Sequence, residues 1–133
     1  MKVRSCIGLL WSIGACYDAF DPPPGTSRFY PPPVYYGLWA EVEACSGLNG
    51  ELGQVRWFTV PLSPFPCPDG SCRGFWEWPH TIYIGAASVY DSSTNYFTVR
   101  HEMLHDLLRH GLHGDPAFHA CNLQLILPRI GGQ

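Results

Sequence analysis

Lysine is almost absent from this sequence of 133 residues, and charged side chains of either sign are scarce. The single lysine is Lys2, and Asp, Glu, Lys and Arg together make up 14% of the chain. The 11 acidic residues outnumber the 8 basic ones and leave a formal net charge of −3. Because a chain of this charge repels phosphate backbones, nucleic acid is a poor candidate partner.

The sequence also lacks an apolar run long enough to span a bilayer, which takes about 18 or more residues. A shorter uncharged run over residues 5–15 follows Lys2 and Arg4 and ends in small residues. A basic start, a short apolar run and small residues before a cleavage point are typical of a secretory signal peptide. The alternative is an ordinary buried helix or strand. We expect residues 1–15 to be a signal peptide that is removed on export.

Residues 13–16, Ile-Gly-Ala-Cys, resemble the bacterial lipobox, whose cysteine receives a lipid. The resemblance implies cleavage before Cys16 and a lipoprotein anchored to a membrane through that residue, with its domain in the periplasm or outside the cell. The mature chain would keep six arginines against 11 acidic residues, a net charge of −5. Lipid, rather than basic side chains, would then hold the protein at the membrane.

Four cysteines remain for disulfide pairing once the two amino-terminal ones are set aside. Removal of Cys6 and lipidation of Cys16 leave Cys45, Cys67, Cys72 and Cys121. Cys67 and Cys72 flank Pro-Asp-Gly-Ser, a turn-forming sequence, so an oxidising compartment favours a disulfide between them. Cys45 and Cys121 then pair by elimination. The alternative is four free or metal-binding thiols, although their spacing is looser than the CxxC of structural zinc sites.

Proline and glycine are abundant, with 13 and 14 residues respectively, so much of the chain is expected in loops. Residues 21–33 read DPPPGTSRFYPPP and cannot form a helix or an interior strand. As polyproline II, at about 3.1 Å per residue, they would span up to roughly 40 Å. We expect residues 16–33 to be a tether from lipidated Cys16. A proline-rich partner motif is the alternative, but no PxxP spacing is clear.

The folded domain is expected over residues 34–133. Apolar and polar residues alternate from Leu38 to Cys45, which predicts a strand with one wet face, and residues 55–60 predict its hairpin partner. Trp76 and Trp78 fit a short strand, and residues 81–84, Thr-Ile-Tyr-Ile, fit a better one.

One long helix follows these strands. Any of residues 91–94, Asp-Ser-Ser-Thr, can cap its amino end, and Gly111 can stop it after about His110. Residues 123–127 then fit a last helical turn or strand. Strands followed by one long helix indicate an α+β domain, with a small antiparallel or mixed sheet packed on that helix.

His101, Glu102 and His105 form the pattern HExxH on the long helix. Residues four apart share a helix face, so the two imidazoles can bind one ion, with Glu102 about 100° around the axis. Catalytic zinc takes imidazole nitrogens and works beside a carboxylate that accepts a proton from water. Chance gives this pattern in roughly one such chain per hundred, but two histidines on a buried apolar helix need a ligand or hydrogen-bond partner. The pattern therefore predicts a Zn²⁺ site with Glu102 as general base.

The same three residues resemble the active-site helix of the zincin metallopeptidases. The resemblance implies a zincin-like fold, Zn²⁺ as cofactor, and hydrolysis of a peptide or protein substrate by a zinc-activated water, with Glu102 as the base. Residues 99–108, followed by a His, a Pro, a Phe and a Cys, also look like the C-terminal part of small exported bacterial lipoproteins. The chain departs from the metzincins at Leu108 and Gly111, which replace their Gly and third His, and it lacks an evident gluzincin-type ligand Glu.

A third zinc ligand must therefore lie outside the motif, and the candidates are His110, His113, Asp115 and His119. His113 is favoured because a left-handed turn at Gly111 would fold it back under the ion, and His119 is the alternative. Asp106 or Asp115 could instead accept an imidazole N–H and fix which nitrogen meets zinc.

Peptidases of this type often add a side chain that stabilises the oxyanion, and the candidates are Tyr83, Tyr90, Tyr96 and His119. The strand at residues 81–84 would align an extended peptide by strand addition. One alternative function is a non-catalytic exported lipoprotein that uses zinc structurally. Another is a cytoplasmic, thiol-rich zinc protein that keeps its amino terminus.

Overall fold

The structure is a computed structural model that describes residues 4–5 and 17–125. Most of the expected signal peptide, the expected lipidation site Cys16, and residues 126–133 lie outside the described residues. Within the described ranges, no helix has the length and apolar character needed to cross a membrane.

The described residues form eight strands and three α-helices. The strands are β1 Arg4–Ser5, β2 Tyr17–Asp18, β3 Ser27–Phe29, β4 Arg56–Val60, β5 Phe65–Cys67, β6 Gly70–Cys72, β7 Gly74–Glu77 and β8 Thr81–Gly85. The helices are α1 Val34–Ser46, α2 Phe97–Leu108 and α3 Pro116–Ala120, with short 3-10 turns at Leu52–Gln54, Ala86–Ser88 and Ser92–Thr94. The predicted α+β class is confirmed, and Leu123 to Leu125 carry no regular structure.

A mixed four-stranded sheet organises the fold, in the order β3-β4-β8-β7. β4 runs parallel to β8, with Trp57 opposite Ile82, while β3 and β7 pair antiparallel with their neighbours. Two small antiparallel pairs, β1-β2 and β5-β6, accompany it. The predicted strands at residues 55–60 and 81–84 are thus present, and β7 contains Trp76 but ends before Trp78.

The predicted strand from Leu38 to Cys45 is wrong, because these residues lie in α1. Four buried side chains, Tyr35, Leu38, Trp39 and Val42, recur at the spacing of one helix face. The apparent alternation arose because alanines that are exposed in the helix were counted with these buried residues as one apolar face. Gly47 ends α1 in the left-handed conformation, at φ 72°, where its N–H donates to Glu43 O.

The sheet separates two apolar clusters. The larger one fills the space between the sheet and α1 and α2, and contains Trp57, Ile82 and Met103. The smaller one lies on Val60, Phe65 and Tyr83. The 12-residue helix α2 is therefore packed on a mixed sheet, with one face of β8 against it.

The proline-rich segment is part of this fold rather than a free tether. Its centre is β3, which pairs with β4, and Phe20 packs edge-on against Phe75 and Tyr83 at centroid distances of 4.8 and 4.9 Å. The proline triplets flank β3, which lies at the sheet edge where prolines are tolerated. The folded unit therefore begins before Val34, and the boundary predicted at residue 34 is corrected.

Both predicted disulfides are present. Cys67–Cys72 closes the β5-β6 hairpin, and Cys45–Cys121 joins the last turn of α1 to the residue that follows α3. Disulfides form and persist in oxidising compartments, so the protein has the character of an exported one.

Candidate metal centre

The helix α2 is buried over nearly its whole length, which is unusual for a helix that carries four ionisable residues in its centre. Residues 101–107 are all buried. The helix begins at Phe97, after Asn95 and Tyr96 adopt left-handed backbone conformations, so Tyr96 rather than one of residues 91–94 stands at its cap position, and Ser92–Thr94 form a 3-10 turn before it. It ends at Leu108, and Arg109, whose φ is 63°, takes the left-handed cap position that was predicted for Gly111.

Three histidines meet at the buried face of α2. The Nε2 atom of His101 lies 3.2 Å from that of His105 and 3.1 Å from that of His113, and the last two are 3.0 Å apart. His101, His105 and His113 are hereafter called the trio. Their ligand atoms are close enough to hold one metal ion.

Hydrogen bonds from the outer ring nitrogens fix the tautomers of two of these imidazoles. His101 Nδ1 lies 2.8 Å from Leu123 O, and His105 Nδ1 lies 3.0 Å from His110 O. A carbonyl oxygen can only accept, so each Nδ1 carries the proton and each Nε2 presents a lone pair. Two lone pairs that face each other at 3.2 Å repel unless a cation lies between them.

Burial keeps both imidazoles in this neutral form. Loss of solvation lowers the pKa of His101 from 6.5 to about 4 and that of His105 to about 3. The carbonyl acceptors oppose this shift but do not overcome it. At neutral pH these two side chains are therefore ready as metal ligands without losing a proton.

The geometry of the trio fits a transition metal. Ligand nitrogens at about 2.0–2.1 Å from zinc lie about 3.4 Å apart in a tetrahedral site, close to the 3.0–3.2 Å spacing here. Imidazole suits zinc, copper, iron and nickel, so the trio could hold one of these ions, and its donor set does not select among them. Phe118 packs against the trio, with its ring centroid 4.9 Å from His101 and His105.

The loop after α2 brings His113 to the motif. His110 O accepts the His105 proton, while His110 Nε2 contacts Asp115 Oδ2 at 3.1 Å. Asp115 also caps α3 by accepting the N–H of Ala117. His113 is therefore the candidate that joins His101 and His105. The other three, His110, Asp115 and His119, lie outside the trio.

Asp106 does not hold an imidazole of the trio. Its buried carboxylate accepts the indole N–H of Trp76 at 3.0 Å and lies 3.1 Å from His80 Nδ1. Trp76 in turn stacks on His105, with ring centroids 6.4 Å apart. Asp106 thus supports His105 through β7 rather than by direct contact, a role that no local sequence pattern reveals.

The side chain of Glu102 points from α2 to β7, the strand that packs against this helix. A Cβ atom at Gly74 would approach Glu102 Oε1 and Cγ to 2.8 Å, so only glycine lets the strand come this close. Burial raises the pKa of Glu102 from 4.5 to about 8, and the negative charge of Asp69 adds to the rise. A carboxyl with this pKa can take and return a proton near neutral pH.

A cleft of about 430 Å³ opens beside the trio. Two of the metal-ligand candidates, His101 and His113, line this cleft together with the aromatic ring of Phe118. Gln124 and Leu125, which the sequence had not indicated as site residues, complete the lining. Gln124 carries no motif, and only the position of the chain after α3 brings it here.

The four oxyanion candidates are dispersed. Tyr83 faces the smaller apolar cluster, Tyr96 packs against Tyr35, and Tyr90 is 68% exposed. His119 Nδ1 lies 3.4 Å from Gln124 Oε1, so it reaches the cleft only through that residue.

The prediction that residues 81–84 align a substrate by strand addition is also corrected. β8 lies between β4 and β7 and is buried at all five positions, so it has no free edge. The edge beside α2 belongs to β7.

Comparisons with protein-family models, with curated proteins and with solved structures find no match to this chain. The metal centre is therefore interpreted from its own geometry.

Replacing His113 with Ala is expected to weaken metal binding by more than about 100-fold, because loss of a direct ligand exceeds the 10–100-fold typical of outer partners. Competition with a chromophoric chelator measures the dissociation constant for Zn²⁺. The matched control is His119→Ala, a histidine of the same region outside the trio, which should leave the constant unchanged. Equal affinity in the His113 variant and the wild type would remove His113 from the centre.

Stability of the metal-free protein should depend on pH in two directions. Between about pH 3 and 6.5 the unfolded chain binds more protons than the folded one at His101 and His105, so stability falls as the pH drops. Between about pH 4.5 and 8 the folded chain holds the proton of Glu102 that the unfolded chain releases, so stability falls as the pH rises. Thermal unfolding in the presence of a chelator should show a maximum Tm near pH 6.5, and Glu102→Gln should flatten the alkaline side. An unchanged alkaline slope in that variant would contradict the assignment.

Proposed function

We propose that this protein is an exported zinc metallopeptidase of the HExxH type, with a zincin-like arrangement around α2. The observation that carries the proposal is the pair of Nε2 lone pairs of His101 and His105 that face each other beside His113. Glu102 follows the first of these ligands in sequence and is the buried carboxyl with a pKa of about 8. Imidazole donors together with such a carboxyl are the parts that metal-assisted hydrolysis requires.

The trio, Glu102, β7 and the cleft each have one role in the proposed reaction. The trio would hold Zn²⁺, which when bound polarises a carbonyl and favours ionisation of water. Glu102 accepts the proton of the attacking water and later gives it to the leaving amine. The free edge of β7 pairs with an extended peptide, because its unpaired N–H and C=O groups match a peptide backbone. The cleft beside His101 and His113 admits the side chains of that peptide.

The place of action follows from the amino terminus and the disulfides together. The two disulfides favour an oxidising compartment. We propose that Cys16 is lipidated and keeps the domain at a membrane surface, where it would meet peptide or protein substrates outside the cytoplasm. Intact-mass measurement of the protein purified from membranes tests this step, because an uncleaved Met1 would contradict it.

A peptide library tests the activity directly. The disulfide-bonded protein, loaded with one equivalent of Zn²⁺, is incubated with peptides of all residue classes, and products are identified by mass spectrometry. We expect cleavage that stops when a chelator removes the metal and returns when Zn²⁺ is restored. Cleavage that persists in the metal-free protein would assign the activity to a contaminant or to different chemistry.

One observation favours a second function, a structural metal. Glu102 is only 5% exposed and is covered by Gly74, while metal binding would tie the loop that carries His113 to α2. Under this alternative Zn²⁺ raises the Tm of the wild type strongly, yet no peptide in the library is cleaved.

A further inference from the structure

The cleft beside the trio contains a polar side chain that the proposed mechanism has not used. Among the described residues that line it, Gln124 is the polar one outside the trio, next to Phe118 and Leu125. Gln124 is exposed at the cleft wall, so a substrate carbonyl that approaches the trio through this cleft would pass its amide. We propose that this amide donates a hydrogen bond to the carbonyl oxygen as it becomes negative, which makes Gln124 a catalytic residue. The assignment rests on the proposed peptidase function.

His119 orients the amide. Its Nδ1 lies 3.4 Å from Gln124 Oε1, and since a carbonyl oxygen only accepts, His119 donates. With Oε1 directed at His119, neither N–H bond of the amide has a partner among the described residues, so both can face the cleft. His119 is thus a positioning residue, and its action passes through Gln124.

Other donors are committed elsewhere. Tyr83 lies in the smaller apolar cluster, and the hydroxyl of Tyr35 donates to Val89 O. Arg100 directs its Nε to Asn95 O, and Arg109 lines a separate cavity with Asn49 and His80. Among the described residues of the cleft wall outside the trio, the amide of Gln124 is the donor that remains.

The water oxygen forms a bond to the carbonyl carbon, one water proton passes to Glu102, and the carbonyl π pair moves onto oxygen. Gln124 donates a hydrogen bond to this oxygen, whose charge is far greater than in the substrate. The pair on oxygen then re-forms the C=O bond as the C–N bond breaks, the C–N pair leaves on nitrogen and takes the proton from Glu102, and a carboxylic acid and an amine leave.

A donor that acts at this stage affects the transition state more than the bound substrate. We expect Gln124→Ala and Gln124→Met to lower kcat by about 10²–10³-fold, with KM within a few-fold of the wild type. Methionine keeps the length of the side chain and removes its donor. Gln54→Ala, an exposed glutamine of the 3-10 turn before β4, is the matched control and should retain full activity.

Two readouts besides turnover accompany these variants. Affinity for a phosphonamidate peptide, whose tetrahedral oxygens mimic the developing charge, should fall by a factor similar to that in kcat. The dissociation constant for Zn²⁺ should not change, which shows that the centre is intact. His119→Leu should lower kcat about tenfold, and His119→Asn, which can still donate, should restore it.

The outcomes separate the two proposals. A wild type that cleaves peptides, with Gln124 variants of unchanged kcat and phosphonamidate affinity, overturns the role of Gln124 and leaves the peptidase in place. A wild type that binds Zn²⁺ but cleaves no peptide overturns both. Loss of kcat together with loss of Zn²⁺ affinity in both Gln124 variants would make the residue a structural part of the centre and overturn the assignment.

Discussion

Replacing Glu102 with Gln should abolish the proposed peptide hydrolysis and leave Zn²⁺ binding by the trio intact. The amide has the same shape as the carboxyl and cannot accept a proton from water, so kcat should fall by about 10²–10⁴-fold. The substitution places no charge in the site and leaves the three Nε2 atoms of the trio as they are. The dissociation constant for Zn²⁺ should therefore match that of the wild type.

The control for this variant is Glu41→Gln, which removes a carboxylate from the exposed surface of α1. It makes the same chemical substitution away from the trio and should leave kcat unaltered. Turnover is measured on the peptide that the library identifies as cleaved fastest. Full activity of the Glu102 variant would contradict its role as base. Loss of metal together with activity would instead assign Glu102 to the stability of the centre.

The sequence predicted the candidate ligands of the centre better than it predicted the residues that surround them. His101, Glu102 and His105 are spaced by the helix itself, so their proximity needs only the helix to form. His113 also follows from local geometry, since the chain reverses within a few residues of the helix end. The reversal occurs at Arg109 rather than at the expected Gly111, because the helix stops two residues earlier.

The hydrogen-bond acceptors that orient the imidazoles of the trio cannot be predicted from the sequence. Leu123 O and His110 O are backbone atoms, and any residue at those positions would supply them. Phe118 and Trp76 reach the imidazoles through tertiary packing. A motif identifies the ligands, whereas their tautomers depend on where the rest of the chain runs.

The error at α1 has a specific cause. The apolar pattern from Leu38 to Cys45 is compatible with a strand and with a helix, because alanine is found at both exposed and buried positions. The spacing of Tyr35, Leu38, Trp39 and Val42 was the stronger signal, since these are the large side chains. In β8 the run Thr-Ile-Tyr-Ile lacks polar alternation, which is the pattern of a central strand buried on both faces.

Removing the Cys45–Cys121 disulfide should cost far more stability than removing Cys67–Cys72. The first bridges a sequence separation of 76 and the second a separation of 5. In the chain-entropy model these loops correspond to about 4 and about 2 kcal/mol of unfolding free energy. The double Cys→Ser variants, compared by urea denaturation, should differ in that order, and equal losses would contradict the entropic explanation.

The same pair of variants tests whether the disulfide also supports the metal centre. Cys121 follows the helix that carries Phe118 and lies two residues before Leu123, whose carbonyl holds His101. Release of this segment from α1 should loosen that acceptor and weaken Zn²⁺ binding by about 10–100-fold, as loss of an outer-shell partner does. The β5-β6 hairpin contributes no residue to the trio, so its variant should bind Zn²⁺ like the wild type. If both variants keep full affinity, the segment after α3 is held by its packing alone, since Leu123 is itself fully buried.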